Sequence, residues 1–219
     1  MLRLRTGRVP ALPDAVLRPA DAGEVEAVLA ACDREGVTVI PWGGGTSVTG
    51  GVNVLAGDAP VVTLDLGRLA GLTALDAVSG LATFGPGTAG PAVEAALAGH
   101  GLTLGHFPQS WELATVGGWA ATRSSGQESL GFGRIEDRVA GLELVAPAAR
   151  LELAARPASA AGPDLRQLVM GSEGRLGVIT RVDLRVRPRP AARRVEAVLM
   201  PDLGRGLEAV LQFRERALD

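Results

Sequence analysis

The spacing of hydrophobic and polar positions predicts a helix, a strand, a glycine-rich loop and a second strand in the first third of the chain. The helix is predicted over residues 21–36, with Asp21 able to cap its start and Gly36 able to end it. Its apolar face consists of Val25, Val28, Leu29 and Cys32. Continuous apolar runs at 37–40 and 60–66 predict buried strands. This order of elements is typical of a small α/β unit.

The rest of the chain reads as short elements separated by turns. The predicted elements are a strand and turn over 80–87, a helix over 91–101, a short helix within 115–126, a hairpin from 139–145 and 150–156, a helix and turn over 162–174, a strand over 176–188, and a final strand and helix over 193–219. A strand and a helix alone bury their faces poorly, so this last segment reads as the start of a further domain.

Composition excludes several classes of function. The 219 residues are 47% hydrophobic, which suits one large or two small domains. The formal net charge is −2 and every basic residue is Arg, so no basic stripe for nucleic acid is present. Aromatic residues make up only 3% of the chain, which also argues against base stacking. We therefore expect no nucleic-acid partner.

The single cysteine, Cys32, excludes an internal disulfide framework and a cysteine-rich metal site. We expect it to be a core residue in a cytoplasmic protein. No apolar stretch reaches the length of a signal peptide core or a transmembrane segment. His100 and His106 are not spaced with carboxylates as a metal site, and we expect no metal. His100 reads as a helix-end residue, whereas His106 is compatible with either ligand contact or packing.

Residues 41–51, "PWGGGTSVTGG", directly follow the first predicted strand and contain no ionisable side chain. Consecutive amides of Gly43, Gly44 and Gly45 can form a concave anion site, and the glycines leave room for a phosphate. Thr46 and Ser47 add hydroxyl donors. The G-K-[ST] ending of a P-loop is missing, which argues against an ATPase. Taken alone, the stretch is compatible with a phosphate loop or with a plain turn.

Two other glycine-containing segments are less specific. Gly85, Gly87 and Gly90 match G-x-G-x-x-G, but Pro86 and Pro91 lack the amides that would meet a pyrophosphate. A tight turn before a helix is the favoured interpretation. In "MGSEGRLGVIT" (170–180) the acid reads as a turn residue, or the extended backbone presents its polar groups to a flat heterocycle. Composition does not decide between these two readings.

Five motifs between about residues 13 and 190 together resemble those of one family and occur in the same order. They are "PDAVLRPADAGEVEAVLAAC", "VIPWGGGTSVTGG", "HFPQSWELATVGGWAATRSSG", "GRIEDRV" and "GPDLRQLVMGSEGRLGVIT". They are similar to the FAD-binding domain of the vanillyl-alcohol oxidase / p-cresol methylhydroxylase (PCMH-type) flavoproteins. Within it the motifs look most like the alkyldihydroxyacetonephosphate synthase branch, followed by the glycolate oxidase / D-2-hydroxyacid dehydrogenase branch.

The resemblance implies an α+β fold of two packed subdomains, at about 13–70 and 71–190, with FAD held between them. The first has a βαβ-containing sheet and the second a larger mixed or antiparallel sheet with flanking helices. Residues 191–219 would begin a cap domain, which in the family covers the flavin and supplies most substrate contacts. We therefore expect a small-molecule substrate, and a missing C-terminal cap or a partner chain that replaces it. The resemblance names no catalytic residue in this chain.

The cofactor-binding residues implied by the resemblance fall into four groups. The pyrophosphate loop would be Pro41, Trp42, Gly43, Gly44, Gly45, Thr46 and Ser47. The segment beside the flavin would be Gln109, Ser110, Trp111, Glu112, Thr115, Gly117 and Gly118. Further polar contacts would come from Thr122, Arg123, Ser124 and Ser125. The remaining side would be Glu173, Gly174, Leu176, Gly177, Val178 and Ile179.

The chain departs from the family pattern at three places. Gln109–Ser110 stands where an acid–Ser pair is common, and Arg175 where Thr is common. No residue matches the His that some members link to FAD, so we expect non-covalent FAD.

The expected parent reaction is oxidation of a 2-hydroxy acid by an FAD-dependent oxidoreductase. The alternatives are an alkyldihydroxyacetonephosphate synthase-like transferase and a non-catalytic flavin-binding subunit or fragment.

Overall fold

A computed structural model describes residues 11–216 apart from residues 56, 58 and 193. The chain divides into two compact units, Met1–Pro188 and Arg189–Asp219. The predicted domain limits at 13–190 and 191–219, and the subdomain limit near residue 70, stay predictions, because compactness alone does not define a functional domain.

The first unit begins with a parallel three-stranded sheet of order β1-β3-β2. Its strands are β1 (Ala15–Leu17), β2 (Thr38–Trp42) and β3 (Val61–Asp65). Helix α1 (Ala22–Glu35) connects β1 to β2; the Asp21 carboxylate accepts a hydrogen bond from the Glu24 amide, and Gly36 ends the helix at φ 66°. The predicted helix and both strands are confirmed, although β2 is half-buried rather than fully buried.

The first unit also contains a five-stranded antiparallel sheet of order β4-β5-β9-β7-β8. Its strands are β4 (Leu72–Asp76), β5 (Leu81–Phe84), β7 (Val139–Ala146), β8 (Ala149–Leu153) and β9 (Val178–Arg185). The predicted β7–β8 hairpin is confirmed, with Leu142 opposite Leu153. Strand β4 was not predicted from the sequence, because it is an edge strand that is mostly exposed and carries only a weak apolar pattern.

Short helices and a two-stranded sheet complete the first unit. The helices are α2 (Gly90–Ala98), α3 (Val116–Thr122), α4 (Ser129–Phe132), α5 (Ile135–Arg138) and α6 (Leu165–Val169). The small sheet pairs β6 (Leu102–Thr103) with β10 (Arg187–Pro188). Parallel and antiparallel sheets with flanking helices make this an α+β fold, as predicted.

Two apolar clusters form the core. The larger one surrounds Phe84 and Trp119 between the five-stranded sheet and helices α2 and α3. The smaller one joins Leu29 of α1 and Leu64 of β3 to Val145 of β7. The second cluster therefore fixes the parallel sheet and the antiparallel sheet to one another, and the loops that leave both sheets meet in a defined place.

Among its described residues the second unit contains one helix, α7 (Leu203–Arg216). The prediction of a strand before it is wrong, because residues 194–200 pair with no strand in the part of the chain that the structure describes. A strand needs a neighbour for its backbone hydrogen bonds, so the apolar pattern of this segment did not suffice. Among the described residues, no helix is long and apolar enough to cross a membrane.

Candidate functional site

A concave cavity of about 750 Å³ lies in the first unit, a size typical of small-molecule sites. Three segments line it: the glycine-rich loop that follows β2, the segment 108–127 that contains α3, and residues 172–179 leading into β9. Leu66, directly after β3, also lines it. The cavity therefore lies at the carboxyl ends of parallel strands, where open α/β sheets commonly bind ligands.

Most of the predicted site residues line this cavity. They are Pro41, Trp42, Gly43, Gly44, Gly45, Thr46, Ser47, Gln109, Ser110, Thr115, Gly117, Gly118, Thr122, Arg123, Ser124, Ser125, Glu173, Gly174, Gly177 and Ile179. Four do not line it. Trp111 packs beside Phe107, Val178 lies in the smaller core cluster, and Glu112 and Leu176 are exposed.

The structure adds lining residues that the sequence analysis did not single out. They are Val48, Thr49, Gly51, Val52, Leu66, Pro86, Pro108, Ala114, Trp119, Ala121, Gly126, Gln127 and Ser172. Thr49 and Gly51 lie within the quoted loop, and several others lie beside predicted residues, so proximity in sequence could have found them. Leu66 and Pro86 are brought in only by the fold.

The three consecutive glycines of the loop are enclosed by the protein itself. A Cβ on Gly43 would overlap the Thr115 hydroxyl, and one on Gly44 would overlap the Leu113 carbonyl. Gly45 has φ 66° and lies against the Trp42 ring. The loop backbone therefore fits tightly against the segment that precedes α3.

Backbone amides of this loop are available to a ligand. Within the described part of the chain, no hydrogen bond occupies the amides of residues 43–47. The left-handed conformation of Gly45 is one that lets successive amides turn toward a common point, as in an anion-binding nest. The sequence interpretation of a plain turn does not account for this run of unpaired donors.

A buried hydroxyl also lacks a partner at the same wall. Thr115 is 6% exposed, and its Oγ1 is buried without a hydrogen bond among the described residues. An unpaired buried hydroxyl is costly, by about 1–3 kcal/mol. Together with the unpaired amides, it makes this part of the cavity suited to a ligand rich in hydrogen-bond acceptors.

A chain of polar contacts connects the tip of the loop to the turn before β9. The Thr49 hydroxyl donates to the Glu173 carboxylate at 2.6 Å, and the Ser47 and Thr49 hydroxyl oxygens are 3.1 Å apart. The Ser47 oxygen also accepts from the Gly51 amide at 3.2 Å. Glu173 therefore holds the loop tip at the cavity wall rather than pointing away as a free turn residue.

Helix α3 presents two glycines that differ in their surroundings. A Cβ on Gly117 would come within 2.6 Å of Pro86 Cβ, whereas one on Gly118 would meet only the Thr115 hydroxyl at 3.5 Å. The Gly117 amide also donates to the Pro86 carbonyl at 2.8 Å. The segment 85–90 is a tight turn that packs on α3, which confirms the preference for a turn over a dinucleotide fingerprint.

Left-handed backbone at two non-glycine residues marks the cavity wall. Arg123 has φ 49° and Glu173 has φ 50°, and within the described residues they are the positive-φ residues other than glycine. Such conformations persist where neighbouring structure holds them. Here the Glu173 amide donates to the Ala121 carbonyl, and Arg123 donates to the carbonyls of Met170 at 3.0 Å and Gln167 at 2.6 Å.

His106 lies behind this wall and not in the cavity. It is 1% exposed, its ring meets Trp119 edge to face, and its Nε2 is 2.7 Å from the Ser124 hydroxyl oxygen. Burial, with a smaller contribution from the Arg138 guanidinium, lowers the pKa of His106 to about 4. The imidazole is therefore neutral at pH 7.

The cavity is suited to binding more than to side-chain catalysis. Arg123 and Glu173 are the charged residues among the described residues of its lining, and Arg123 donates to backbone carbonyls. No group of three His, Cys, Asp or Glu side chains is placed to hold a metal ion anywhere in the described ranges. The wall thus offers amides and hydroxyls, and any redox chemistry would come from a bound group.

Comparison with known proteins agrees with this geometry. A family model described as an FAD binding domain matches residues 13–152. The alkyldihydroxyacetonephosphate synthase of Dictyostelium discoideum is 34% identical over 98% of this chain and 35% of its own length. The mitochondrial D-lactate dehydrogenase (cytochrome) of Arabidopsis thaliana is 34% identical over 82% of this chain and 31% of its own length.

Comparison with solved structures agrees with the sequence comparisons. An alkyldihydroxyacetonephosphate synthase structure superposes with a TM-score of 0.89 at 33% identity, covering 98% of this chain and 39% of that one. The chain therefore spans between 31% and 39% of the length of these proteins.

Proposed function

This chain belongs to the FAD-binding domain family, and on that premise we propose that it is the cofactor-binding part of an enzyme that oxidises a 2-hydroxy acid. Its cofactor is FAD, and we propose that it is held without a covalent bond. When bound, FAD would supply the two-electron oxidant for this reaction, in which the 2-hydroxy acid loses a hydride from carbon and a proton from its hydroxyl to give a 2-oxo acid. The residues of this chain would bind and orient the cofactor.

The observation that carries the proposal is the coincidence, in one cavity, of unpaired loop amides and an unpaired buried hydroxyl. The amides of residues 43–47 suit the pyrophosphate, because bare backbone donors stabilise an anion without a cationic side chain. The Thr115 hydroxyl and the open face at Gly118 suit a flat ring placed close to α3. The Gln109–Ser110, Thr122–Ser125 and Glu173–Ile179 segments would enclose the rest of the cofactor.

A second candidate is an alkyldihydroxyacetonephosphate synthase-like transferase. The alkyldihydroxyacetonephosphate synthase of Caenorhabditis elegans matches 100% of this chain, compared with 82% for the D-lactate dehydrogenase. In this alternative the same flavin site would serve an exchange of alkyl for acyl groups. The cavity residues do not distinguish the two, because substrate contacts would come from outside this segment.

A third candidate is a flavin-binding subunit that depends on a C-terminal cap or a partner chain. Helix α7 exposes Leu203, Leu207, Val210 and Leu211, spaced as one apolar helix face. Such a face supports the proposal that further protein covers it. A cytoplasmic location is also proposed, from the single buried Cys32.

Titration with FAD tests the binding proposal directly. We expect the purified protein to retain FAD through gel filtration, or to take it up stoichiometrically with quenching of flavin fluorescence. A protein that neither carries nor takes up FAD would refute the proposed function. Riboflavin, which lacks the pyrophosphate, is the matched control and should bind far more weakly.

The candidate activities separate in a second experiment on the loaded protein. Bleaching of the flavin absorbance by a D-2-hydroxy acid supports the oxidoreductase. Release of fatty acid from acyl-dihydroxyacetone phosphate with incorporation of an added fatty alcohol into the product, and with no net redox, supports the transferase. Inertness to both, reversed when a partner chain is added, supports the subunit.

A further inference from the structure

His106 and Ser124 form a buried pair that the proposed function does not use. Ser124 lines the cavity, and His106 lies behind it with Nε2 at 2.7 Å from Oγ. Among the described residues, this is the one hydrogen bond that Ser124 Oγ makes. A hydroxyl can donate one hydrogen bond and accept two. The position of the hydrogen on the imidazole therefore decides whether the Ser124 hydroxyl can still donate to a ligand or can only accept from it.

The neutral imidazole carries its hydrogen on either Nδ1 or Nε2, and the two nitrogens differ in their hydrogen-bond partners. If Nδ1 carried the hydrogen, a buried N–H would have no acceptor, because Nδ1 has no partner among the described residues. Unpaired buried N–H groups are rarer in proteins than unpaired acceptors. The nearby Arg138 guanidinium disfavours the doubly protonated ring, so one nitrogen keeps its lone pair. The hydrogen therefore belongs on Nε2.

We propose that His106, as the Nε2–H form, donates to Ser124 and so directs the Ser124 hydroxyl hydrogen into the cavity, toward an acceptor atom of the bound FAD. This inference rests on the proposed function. His106 is then a positioning residue, and Ser124 makes the contact. The pKa of about 4 keeps the imidazole neutral at pH 7.

Nitrogen NMR of the free protein tests the first half of the proposal. The chain has only two histidines, so His100→Gln assigns the ¹⁵N signals of a histidine-labelled sample. At pH 7 we expect His106 Nε2 at the shift of a protonated ring nitrogen and Nδ1 at that of an unprotonated one. The reverse pattern would overturn the proposal, since Ser124 would then donate to His106 and have no hydrogen for the ligand.

Cofactor affinity tests the second half. Ser124→Ala should weaken FAD binding by about 2- to 10-fold, the effect of one neutral hydrogen bond. His106→Leu should weaken it similarly, and the double variant should be no weaker than either single one. His106→Gln, whose amide can donate from the Nε2 position, should restore binding to within about twofold of wild type, the lower end of one hydrogen bond. His100→Gln is the matched control and should bind as wild type does.

The outcomes distinguish failure of the proposed function from failure of this inference alone. If the wild-type protein binds no FAD, the proposed function fails, whereas the NMR experiment still reports the ring. If wild type binds FAD and Ser124→Ala binds it equally well, only this inference fails. Additive losses in the double variant would also overturn it, because His106 would then act through packing and not through Ser124.

Discussion

The glycine-rich loop at 41–51 and helix α3 line the same cavity, and both place adjacent glycines at its surface. In the loop, Gly43 and Gly44 are packed against Thr115 and Leu113, so their lack of a side chain serves contacts within the protein. In α3, Gly117 is packed against Pro86, but Gly118 has open space before it. The loop glycines are therefore required by packing within the protein, whereas Gly118 of α3 is not.

This difference decides which variants report on a ligand. Losing a glycine that the fold itself requires damages the protein with or without cofactor. Losing Gly118 changes the cavity and little else. Only the second kind of variant separates cofactor contact from folding.

The largest expected effect is on stability, from Gly44→Ala. The added Cβ would overlap the backbone of Leu113, which cannot move aside as a flexible side chain can. We expect a loss at or above the upper end of the roughly 1–3 kcal/mol that overpacking costs. Thermal unfolding without FAD measures it, at about 2–4 °C per kcal/mol for a chain of this size. An unchanged midpoint would mean that the loop moves freely, and the contrast with Gly118 would disappear.

Acid should destabilise the side of the cavity that contains α3. The glycine-rich loop itself contains no ionisable residue, whereas the α3 residue Trp119 packs against the buried, neutral His106. Its folded-state pKa of about 4 lies below the ordinary value of 6.5, so the unfolded state binds a proton more readily. Stability contributed by His106 is present above pH 6.5 and is lost as the pH falls toward 4.

By pH 4.5 this linkage amounts to roughly 2–3 kcal/mol. Unfolding midpoints of wild type and His106→Gln, compared between pH 7 and pH 4.5, isolate it from the carboxylates that titrate in the same range. The variant should lose less stability than wild type over that interval. Equal losses would mean that His106 is accessible to protons in the folded protein.

Most residues that the sequence predicted as cofactor-binding line the cavity, and their contact with FAD stays a prediction; the packing that shapes the cavity wall was not predicted. Periodic apolar residues and the capping residues Asp21 and Gly36 predicted helix α1, because these are local features of the sequence. The glycine-rich loop was also visible as composition. The packing of Gly44 against Leu113 joins segments about 70 residues apart, and no local pattern encodes such a contact.

Other differences have similar reasons. Trp111 and Val178 lie in motifs that border the cavity, yet their side chains point into packing contacts, which only the backbone geometry decides. Residues 194–200 carried a strand-like apolar pattern, but a strand also needs a partner. His106 was compatible with two roles, and its burial behind Ser124 is a tertiary fact.

Gly118→Ala should separate binding from folding. Its Cβ would make only an ordinary contact, and alanine favours a helix by up to about 1 kcal/mol, so the unfolding midpoint should stay or rise. The methyl group would occupy cavity space, and we expect FAD to bind about tenfold more weakly or worse. Gly131→Ala, on helix α4 with open space around it, is the matched control and should leave FAD affinity unchanged. Unaltered affinity of Gly118→Ala would mean that no part of the cofactor approaches α3 closely.

The smallest expected effect is that of salt on FAD binding. The loop offers neutral donors to the phosphates, namely the amides of residues 43–47. Among the described lining residues the one cation, Arg123, donates to Met170 and Gln167. Ionic strength screens interactions between full charges far more than it weakens short hydrogen bonds from enclosed dipoles. We therefore expect the FAD dissociation constant to change by less than about twofold between 50 and 500 mM NaCl. A steep loss of affinity would show that a cationic side chain reaches the pyrophosphate, and the loop would then be a spacer between charges and not the anion site itself.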